Sequence, residues 1–232
     1  MLIIIIKSPV WFSDNAGFYF LKMKRAAIFI DGNNLYHNLK QMKIKPSNID
    51  FKRLVDFISK CFSLELKEVR YYNSMPTLRD GKDLYFSHLK FIDELRKLHK
   101  FTVHTRKLQV HSTKELLKEK QELIESMELC KNCKPVVEQN ILDTIGSVKK
   151  KEKGVDIMLA VDLVEYAINN KADVLIVLSG DADFVPAMKL AQDNNKEVLS
   201  VSLVKGYSRE LRENFKFLVL GKNMIMENCL KY

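Results

Sequence analysis

The fold is decided by Phe29-Ile30-Asp31-Gly32-Asn33-Asn34 near the start of the chain and by Ser179-Gly180-Asp181-Ala182-Asp183 about 150 residues later. An almost wholly apolar run precedes each stretch, Ala26-Ala27-Ile28-Phe29-Ile30 and Val174-Leu175-Ile176-Val177-Leu178. Such runs are typical of central parallel strands that helices cover on both faces. Sites of α/β proteins lie where such strands end. The sequence therefore predicts an α/β fold with Asp31 and Asp181 at one edge of a sheet.

Two aspartates at the ends of neighbouring strands repel each other. Adjacent parallel strands lie about 5 Å apart, and two unit charges about 4 Å apart cost on the order of 4 kcal/mol at an effective dielectric of about 20. A bound divalent cation removes this penalty. Asp31 and Asp181 therefore predict a metal site.

A third aspartate, Asp156, opens a predicted helix over residues 153–168. An acid in a first helical turn is also favoured by the helix dipole alone, but here the next strand ends in Asp181, which favours a shared site. Asp162 lies about 240° around the helix from Asp156, so both cannot point at one ion. Asp162 is predicted as either a salt-bridge partner or an acid just outside the ligand set. The inward-facing residues are predicted to be Ala160, Leu163, Val164, Ala167 and Ile168, with Asp156 on the same side.

These segments together resemble the three blocks of NYN domain proteins of the LabA-like group, which belong to the PIN-like nuclease superfamily. The resemblance extends from about residue 24 to 220 and includes a late Tyr207-Ser208-Arg209-Glu210-Leu211 segment. It implies a Rossmann-like three-layer α/β/α sandwich with a mainly parallel sheet. It also implies a Mg²⁺ or Mn²⁺ site and endonucleolytic hydrolysis of RNA phosphodiester bonds. The matching blocks are Phe29 to Asn34, Lys153-Gly154-Val155-Asp156 with Leu159-Ala160-Val161-Asp162, and Ser179 to Pro186.

The candidate residues follow from phosphoryl chemistry. Asp31, Asp156 and Asp181 are predicted to hold one ion, or two about 3.5–4 Å apart, and to activate a water for in-line attack. Asp183 is predicted as a further catalytic carboxylate, with a helix cap as its alternative role. The other polar residues of these turns are predicted to orient a water, an aspartate or the phosphate, or else to serve the turn itself: Asn33, Asn34 and Ser179.

The charge of the chain suits a polyanionic partner. Lys and Arg number 38 against 29 Asp and Glu, which gives a net charge of +9. RNA is the predicted partner, and a homo-oligomer or protein partner is left open. The lysines predicted to contact phosphate are Lys107, Lys149, Lys150, Lys151 and Lys153.

The remaining sequence predicts the organisation of the chain. Residues 1–23 are predicted as an N-terminal extension that precedes a natural start at Met23, with an extra edge strand as the alternative. Residues 24–232 are predicted as one NYN/PIN-like domain with a helical insertion at about 112–151. Helices are predicted over 33–43, from about 50, over 83–98 and over 112–129, with strands over 69–72 and 101–105. No segment approaches the roughly 20 apolar residues that cross a bilayer, so no membrane association is predicted. Four cysteines without a signal segment predict a cytoplasmic protein.

Other functions were weighed against the nuclease interpretation. Cys130 and Cys133 have the spacing of half a zinc site, but the two further ligands are missing and zinc is not predicted. The Gly-rich motifs of nucleotide-binding proteins are absent, and Asp31-Gly32-Asn33 lacks the second aspartate of haloacid dehalogenase phosphatases. The alternative that stays open is an inactive RNA-binding or regulatory interaction module with the same fold.

Overall fold

A mainly parallel sheet forms the centre of the protein, as the sequence predicts, and it has six strands. The computed structural model describes residues 23–107, 109–110, 113–143, 150–151 and 154–231. The strands of the sheet have the order β3-β2-β1-β6-β7-β8, and the pairs β1–β2, β1–β6, β6–β7 and β7–β8 are parallel. The strands are β1 (Arg25–Asp31), β2 (Glu65–Met75), β3 (Phe101–Lys107), β4 (Gln109–Val110), β5 (Lys150–Lys151), β6 (Val174–Leu178), β7 (Glu197–Leu203) and β8 (Lys216–Leu220).

Helices follow most of these strands, which produces the three-layer α/β/α arrangement. They are α1 (Gly32–Gln41), α2 (Phe51–Cys61), α3 (Lys82–Arg96), α4 (Thr113–Ser126), α5 (Cys133–Asp143), α6 (Val155–Ile168), α7 (Val185–Asp193), α8 (Arg209–Asn214) and α9 (Lys222–Asn228). The predicted helices are all present, with ends that differ by a few residues. Strand β2 is longer than predicted because its polar first half still pairs with β1, from Arg25 opposite Glu65 onward.

The core lies on both faces of the central strands. Every residue of β6 is buried, and so is every residue of β1 after Arg25. This pattern explains why both strands are almost purely apolar, since a strand covered on two faces has no solvent-facing side. The polar residue that ends β1, Asp31, is consequently carried into the interior.

The chain divides into two compact units. Of the described residues, 23–73, 90–104 and 156–231 form the first unit, which contains most of the sheet. The described parts of 74–89 and 105–155 form the second. Within the second unit α4 packs against α5, and β4 pairs with β5 in antiparallel fashion. The predicted insertion at about 112–151 falls in this unit. The predicted extension, residues 1–23, lies outside the described residues except for Met23.

Helix α6 buries only part of the predicted face: Leu163 and Ala167 are buried, whereas Ala160 and Val164 are half-buried. Ile168, predicted to face the core, is 62% exposed. Nearly all positions of this helix are apolar, so periodicity alone did not fix which side is buried. The side is fixed instead by polar contacts of Asp162 and Tyr166 with Arg70 of β2. The buried residues of α6 are Val155, Leu159, Leu163, Tyr166 and Ala167.

None of the helices that the structure describes is both long enough and apolar enough to span a bilayer.

Candidate active site

The site forms where β1 and β6 end side by side. Ile30 of β1 lies opposite Leu178 of β6, so the residues that follow them, Asp31 and Ser179, are neighbours. The hydroxyl of Ser179 donates a hydrogen bond of 3.0 Å to Oδ2 of Asp31. The register of the sheet therefore brings together two residues that are 148 positions apart.

Asp31 is a buried acid that also begins α1. Only 5% of the residue is exposed, and its Oδ1 accepts a 3.0 Å hydrogen bond from the backbone N–H of Asn34 as the N-cap of the helix. The pKa of Asp31 is raised to about 6, mainly by burial and also by the carboxylates of Asp156 and Asp181, although its two hydrogen bonds act in the opposite direction. Asp31 is thus costly to ionise without a cation.

Asn34 ties α1 to the turn after β6. Its side-chain carbonyl oxygen accepts hydrogen bonds from the backbone N–H of Gly180, at 3.0 Å, and from the side-chain amide of Asn38, at 2.8 Å. Asn34 therefore holds the two aspartate-bearing turns together, which supports a positioning role for it. Asn33, its neighbour on α1, is half-buried.

Asp181 and Asp183 lie in the turn after β6. The backbone N–H of Asp181 donates to Ser179 Oγ at 3.2 Å, and Asp181 Oδ1 accepts from the N–H of Asp183 at 3.0 Å, which caps a 3₁₀ turn over Ala182–Phe184. Asp181 is thus the residue that caps this turn. Asp183 is exposed and caps neither the turn nor α7, whose N-cap is Phe184.

Asp156 completes the acidic group from α6. The residue lies at the surface, but the protein around it partly shields its carboxylate. This burial, together with the charges of Asp181 and then Asp183, raises the pKa of Asp156. Asp156 and Asp181 are thus near enough to affect Asp31, and Asp181 and Asp183 near enough to affect Asp156. These four residues are called the aspartate group below.

Within the described residues, the negative charge of the aspartate group is not compensated by an ion pair with a basic side chain. Among the described residues, no Lys, Arg or His nitrogen forms an ion pair with any of its four members. Carboxylate oxygens are the hard ligands that Mg²⁺ and Mn²⁺ prefer. The donor set and its uncompensated repulsion thus fit a divalent cation.

The aspartate group is not a closed cage. Within the described part of the chain, no three His, Cys, Asp or Glu side chains converge closely enough to hold an ion together. Mg²⁺ commonly keeps several waters and takes only one or two protein carboxylates, with substrate phosphate completing the shell. The arrangement fits this open kind of coordination.

Asp162 belongs to a different network. Arg70 of β2 donates to Asp162 Oδ2 at 2.8 Å, and the hydroxyl of Tyr72 donates to the same oxygen at 2.6 Å. Arg70 also donates to the hydroxyl of Tyr166 at 2.9 Å, and the ring of His104 stacks on that of Tyr72. Of the two roles predicted for Asp162, these contacts support the salt bridge. The network joins α6 to β2, and the partner of Asp162 was not predicted because Arg70 lies 92 residues away in the chain.

The side chains of the five lysines predicted to contact RNA lie outside what the structure describes. Lys149 and Lys153 lie outside the described residues, and the side chains of Lys107, Lys150 and Lys151 do as well. The backbone of Lys150 and Lys151 forms β5. Their role stays a prediction.

Two residues that support the site were not predicted from the sequence. Asn38 is buried and donates to Asn34. Gly206, in the loop after β7, has a φ of +84°, and a Cβ at this position would overlap the side chain of Asn38. The spacing of four between Asn34 and Asn38, which puts both on one helical face, was the available signal for Asn38.

Comparisons with known proteins agree with this architecture. Residues 25–221 match the NYN domain family. Over 65 residues the chain is 31% identical to an uncharacterized protein of Methanocaldococcus jannaschii, a match that covers 28% of this chain and 27% of that protein. A crystal structure of a protein of unknown function from Vibrio parahaemolyticus is similar with a TM-score of 0.51 and 18% identity, covering 90% of this chain and 97% of the other. That likeness concerns the fold alone.

Proposed function

Because the chain belongs to the NYN domain family, within the PIN-like nuclease superfamily, we propose that it is a metal-dependent endoribonuclease of the LabA-like group. Its substrate is RNA, and the reaction is hydrolysis of a phosphodiester bond. The observation that carries the proposal is the aspartate group: four carboxylates at the carboxyl edge of the sheet, one of them buried, with no basic partner among the described residues.

The ion is proposed to be Mg²⁺ or Mn²⁺, with its protein ligands drawn from Asp31, Asp156 and Asp181 and with waters and substrate phosphate completing the shell. When bound, such an ion lowers the pKa of a coordinated water and neutralises charge that develops on the phosphate. Hydrogen bonds within the chain orient two of these carboxylates. Ser179 and the N–H of Asn34 fix both oxygens of Asp31, and the capped turn fixes Asp181 Oδ1.

The remaining carboxylate is available for proton transfer. Asp183 is exposed and lies near enough to Asp156 to raise the pKa of that residue. We assign Asp183 as the group that accepts a proton from the attacking water. A bond forms between the water oxygen and phosphorus, a phosphorus–oxygen ester bond breaks, and the leaving oxygen is protonated from solvent.

One observation favours a second candidate function. Since no three ligands converge in the described part of the chain, the same fold also suits a module that binds RNA without efficient cleavage. The two functions differ in their products, since the module releases none.

The test is cleavage of labelled single-stranded and structured RNA in the presence of Mn²⁺, Mg²⁺ or EDTA. We expect cleavage with either ion and none with EDTA. Asp31→Asn and Asp156→Asn should each lower the rate by roughly 10²–10⁴-fold, the range for loss of a positioned catalytic group. Asp193→Asn, at the exposed end of α7, is the matched control and should cleave normally.

Each other outcome has a defined meaning. Cleavage that persists in Asp31→Asn or Asp156→Asn points to a contaminant or another site and contradicts the assignment. Binding of RNA by a folded protein without products supports the binding module instead.

A further inference from the structure

A groove on the first unit combines aromatic and arginine side chains. It has a volume of about 420 Å³ and is lined by Tyr207, Arg209, Arg212, Glu213 and Phe217. We call it the aromatic–arginine groove. Its volume falls in the lower part of the range of about 300–1,000 Å³ that small-ligand clefts span, which suits one or two flat groups.

Two aromatic rings in the groove remain open to solvent. Tyr207 is 43% exposed and Phe217 is 42% exposed, although aromatic residues ordinarily bury most of their surface. The guanidinium of Arg212 lies 4.9 Å from the centre of the Tyr207 ring and 4.8 Å from that of Phe217. Arg212 therefore lies over the faces of both rings, which brings a cation and two partly exposed aromatic rings together in the groove.

The charge of the groove favours an anion. Arg209 forms an ion pair of 2.6 Å with Glu213, which neutralises the one acid in the lining. Arg212 forms no ion pair with a carboxylate among the described residues. Its positive charge is thus left for a ligand that presents a phosphate beside a flat ring.

The backbone of Tyr207, the first residue of the groove, lies beside the turn that carries Asp181. A Cβ on Gly180 would overlap the carbonyl oxygen of Gly206 and would come within 3.3 Å of Tyr207 Cα. Gly180 directly precedes Asp181, and its N–H is bonded to Asn34. One backbone contact therefore joins the turn of the aspartate group to the residue that begins the groove.

We propose that the aromatic–arginine groove binds an unpaired nucleotide that flanks the scissile phosphate, with its base stacked on Tyr207, Phe217 or the Arg212 plane. This inference rests on the proposed function, since it takes RNA as the substrate. The ligand class is single-stranded nucleic acid. A stacking surface accepts any base through its flat face, whereas bases in a duplex present only their edges.

The test measures binding rather than cleavage. A short, fluorescently labelled, single-stranded RNA is titrated into protein that carries Asp31→Asn, in EDTA, and anisotropy gives the dissociation constant. Tyr207→Ala and Phe217→Ala should each weaken binding about 5- to 160-fold, which corresponds to the ~1–3 kcal/mol lost per stacked base. Binding of a duplex of the same sequence should change little.

Two substitutions of Arg212 distinguish the contribution of stacking to RNA binding from the contribution of charge. Arg212→Lys keeps the charge but loses the plane, so it should weaken binding while leaving its salt dependence unchanged. Arg212→Ala should also lower the salt slope by about 0.7, the value for one phosphate of a single strand. The same titrations with single-stranded DNA show whether the groove requires the ribose hydroxyl.

The matched control is Tyr36→Ala. Tyr36 is 44% exposed and has Lys40 over its ring at 5.1 Å, so it has the same chemistry outside the groove. Equal binding by Tyr207→Ala, Phe217→Ala and the parent protein overturns the proposal, and so does an equal loss in Tyr36→Ala. A melting curve for each variant separates loss of binding from loss of fold.

The groove and the nuclease can fail independently. If RNA binding depends on Tyr207 and Phe217 but the protein never cleaves RNA, the groove proposal is supported and the nuclease proposal is contradicted. If the protein cleaves RNA with metal but binds it equally well without either ring, the nuclease proposal is supported and the groove proposal is contradicted.

Discussion

Replacing Asp31 by Asn should make the protein more stable while it removes the proposed activity. Asp31 is only 5% exposed, and its pKa is raised from 3.8 to about 6 by burial and by the neighbouring aspartates. Asn has nearly the same shape. It can still accept the hydrogen bond from the N–H of Asn34, and the hydroxyl of Ser179 can reorient to accept from the new amide.

The sign and size of the effect follow from proton linkage. Below about pH 4 the carboxyl of Asp31 is neutral in the folded and unfolded chains alike. Between about pH 4 and 6 the unfolded chain gives up this proton and the folded chain retains it, so the free energy of unfolding falls as pH rises. The difference between 3.8 and about 6 corresponds to about 3 kcal/mol at 1.36 kcal/mol per pH unit. Above pH 6 the wild type carries this full cost, and the Asn variant does not.

The assay is urea denaturation in EDTA at pH 8 and at pH 4. We expect Asp31→Asn to raise the free energy of unfolding by about 2–3 kcal/mol at pH 8, with little difference at pH 4. Asp193→Asn, an exposed aspartate without a role in the site, should change stability by less than about 0.5 kcal/mol at both pH values.

A second control has the opposite sign. The ion pair with Arg25 lowers the pKa of Asp173 to about 2, so this carboxylate contributes stability above its unfolded pKa that is lost as pH falls. Asp173→Asn should therefore destabilise the protein at pH 8. Two results would refute the view that ionised Asp31 destabilises the fold. One is an Asp31→Asn variant that is no more stable than the wild type at pH 8, and the other is a change in stability that is equal at both pH values.

Two further predictions concern the metal and the α6 network. Mn²⁺ at about 100 times its dissociation constant should stabilise the wild type by about 2.7 kcal/mol at pH 8. It should stabilise Asp31→Asn much less. If Mn²⁺ raises the melting temperature of both proteins equally, Asp31 is not a metal ligand. Arg70→Leu should lower the free energy of unfolding by about 2–4 kcal/mol, because Arg70 and Asp162 are 14% and 19% exposed and one buried charge would lose its partner. The exposed ion pair of Arg96 with Asp93 provides the control. Arg96→Ala should lower the free energy of unfolding by less than about 1 kcal/mol in urea denaturation. If Arg70→Leu and Arg96→Ala lose the same stability, the stabilising role of the Arg70–Asp162 contact is contradicted.

Most of the fold could be predicted because its strongest signals are local. An apolar run that ends in Asp31, and another that ends at Ser179, identify central strands by their composition alone. Helix α2 was predicted to begin near Asp50, and the side chain of Asp50 does cap it. By contrast, the buried face of α6 was predicted only in part, correctly for Leu163 and Ala167 and wrongly for Ile168, because a helix that is apolar on most sides carries little periodic signal about its orientation.

Sequence by itself determined which carboxylates end the central strands, and hence that Asp31 and Asp181 share one edge of a parallel sheet. Only the tertiary structure decided what surrounds them, including the bonds from Asn34 to Gly180 and from Ser179 to Asp31. It also decided that Asp162 pairs with Arg70 and that Gly206 brings Tyr207 beside the turn. The physical reason is that strand formation depends on neighbours within a few residues. A hydrogen bond or a stacking contact instead depends on the register and rotation of elements that lie far apart in the chain.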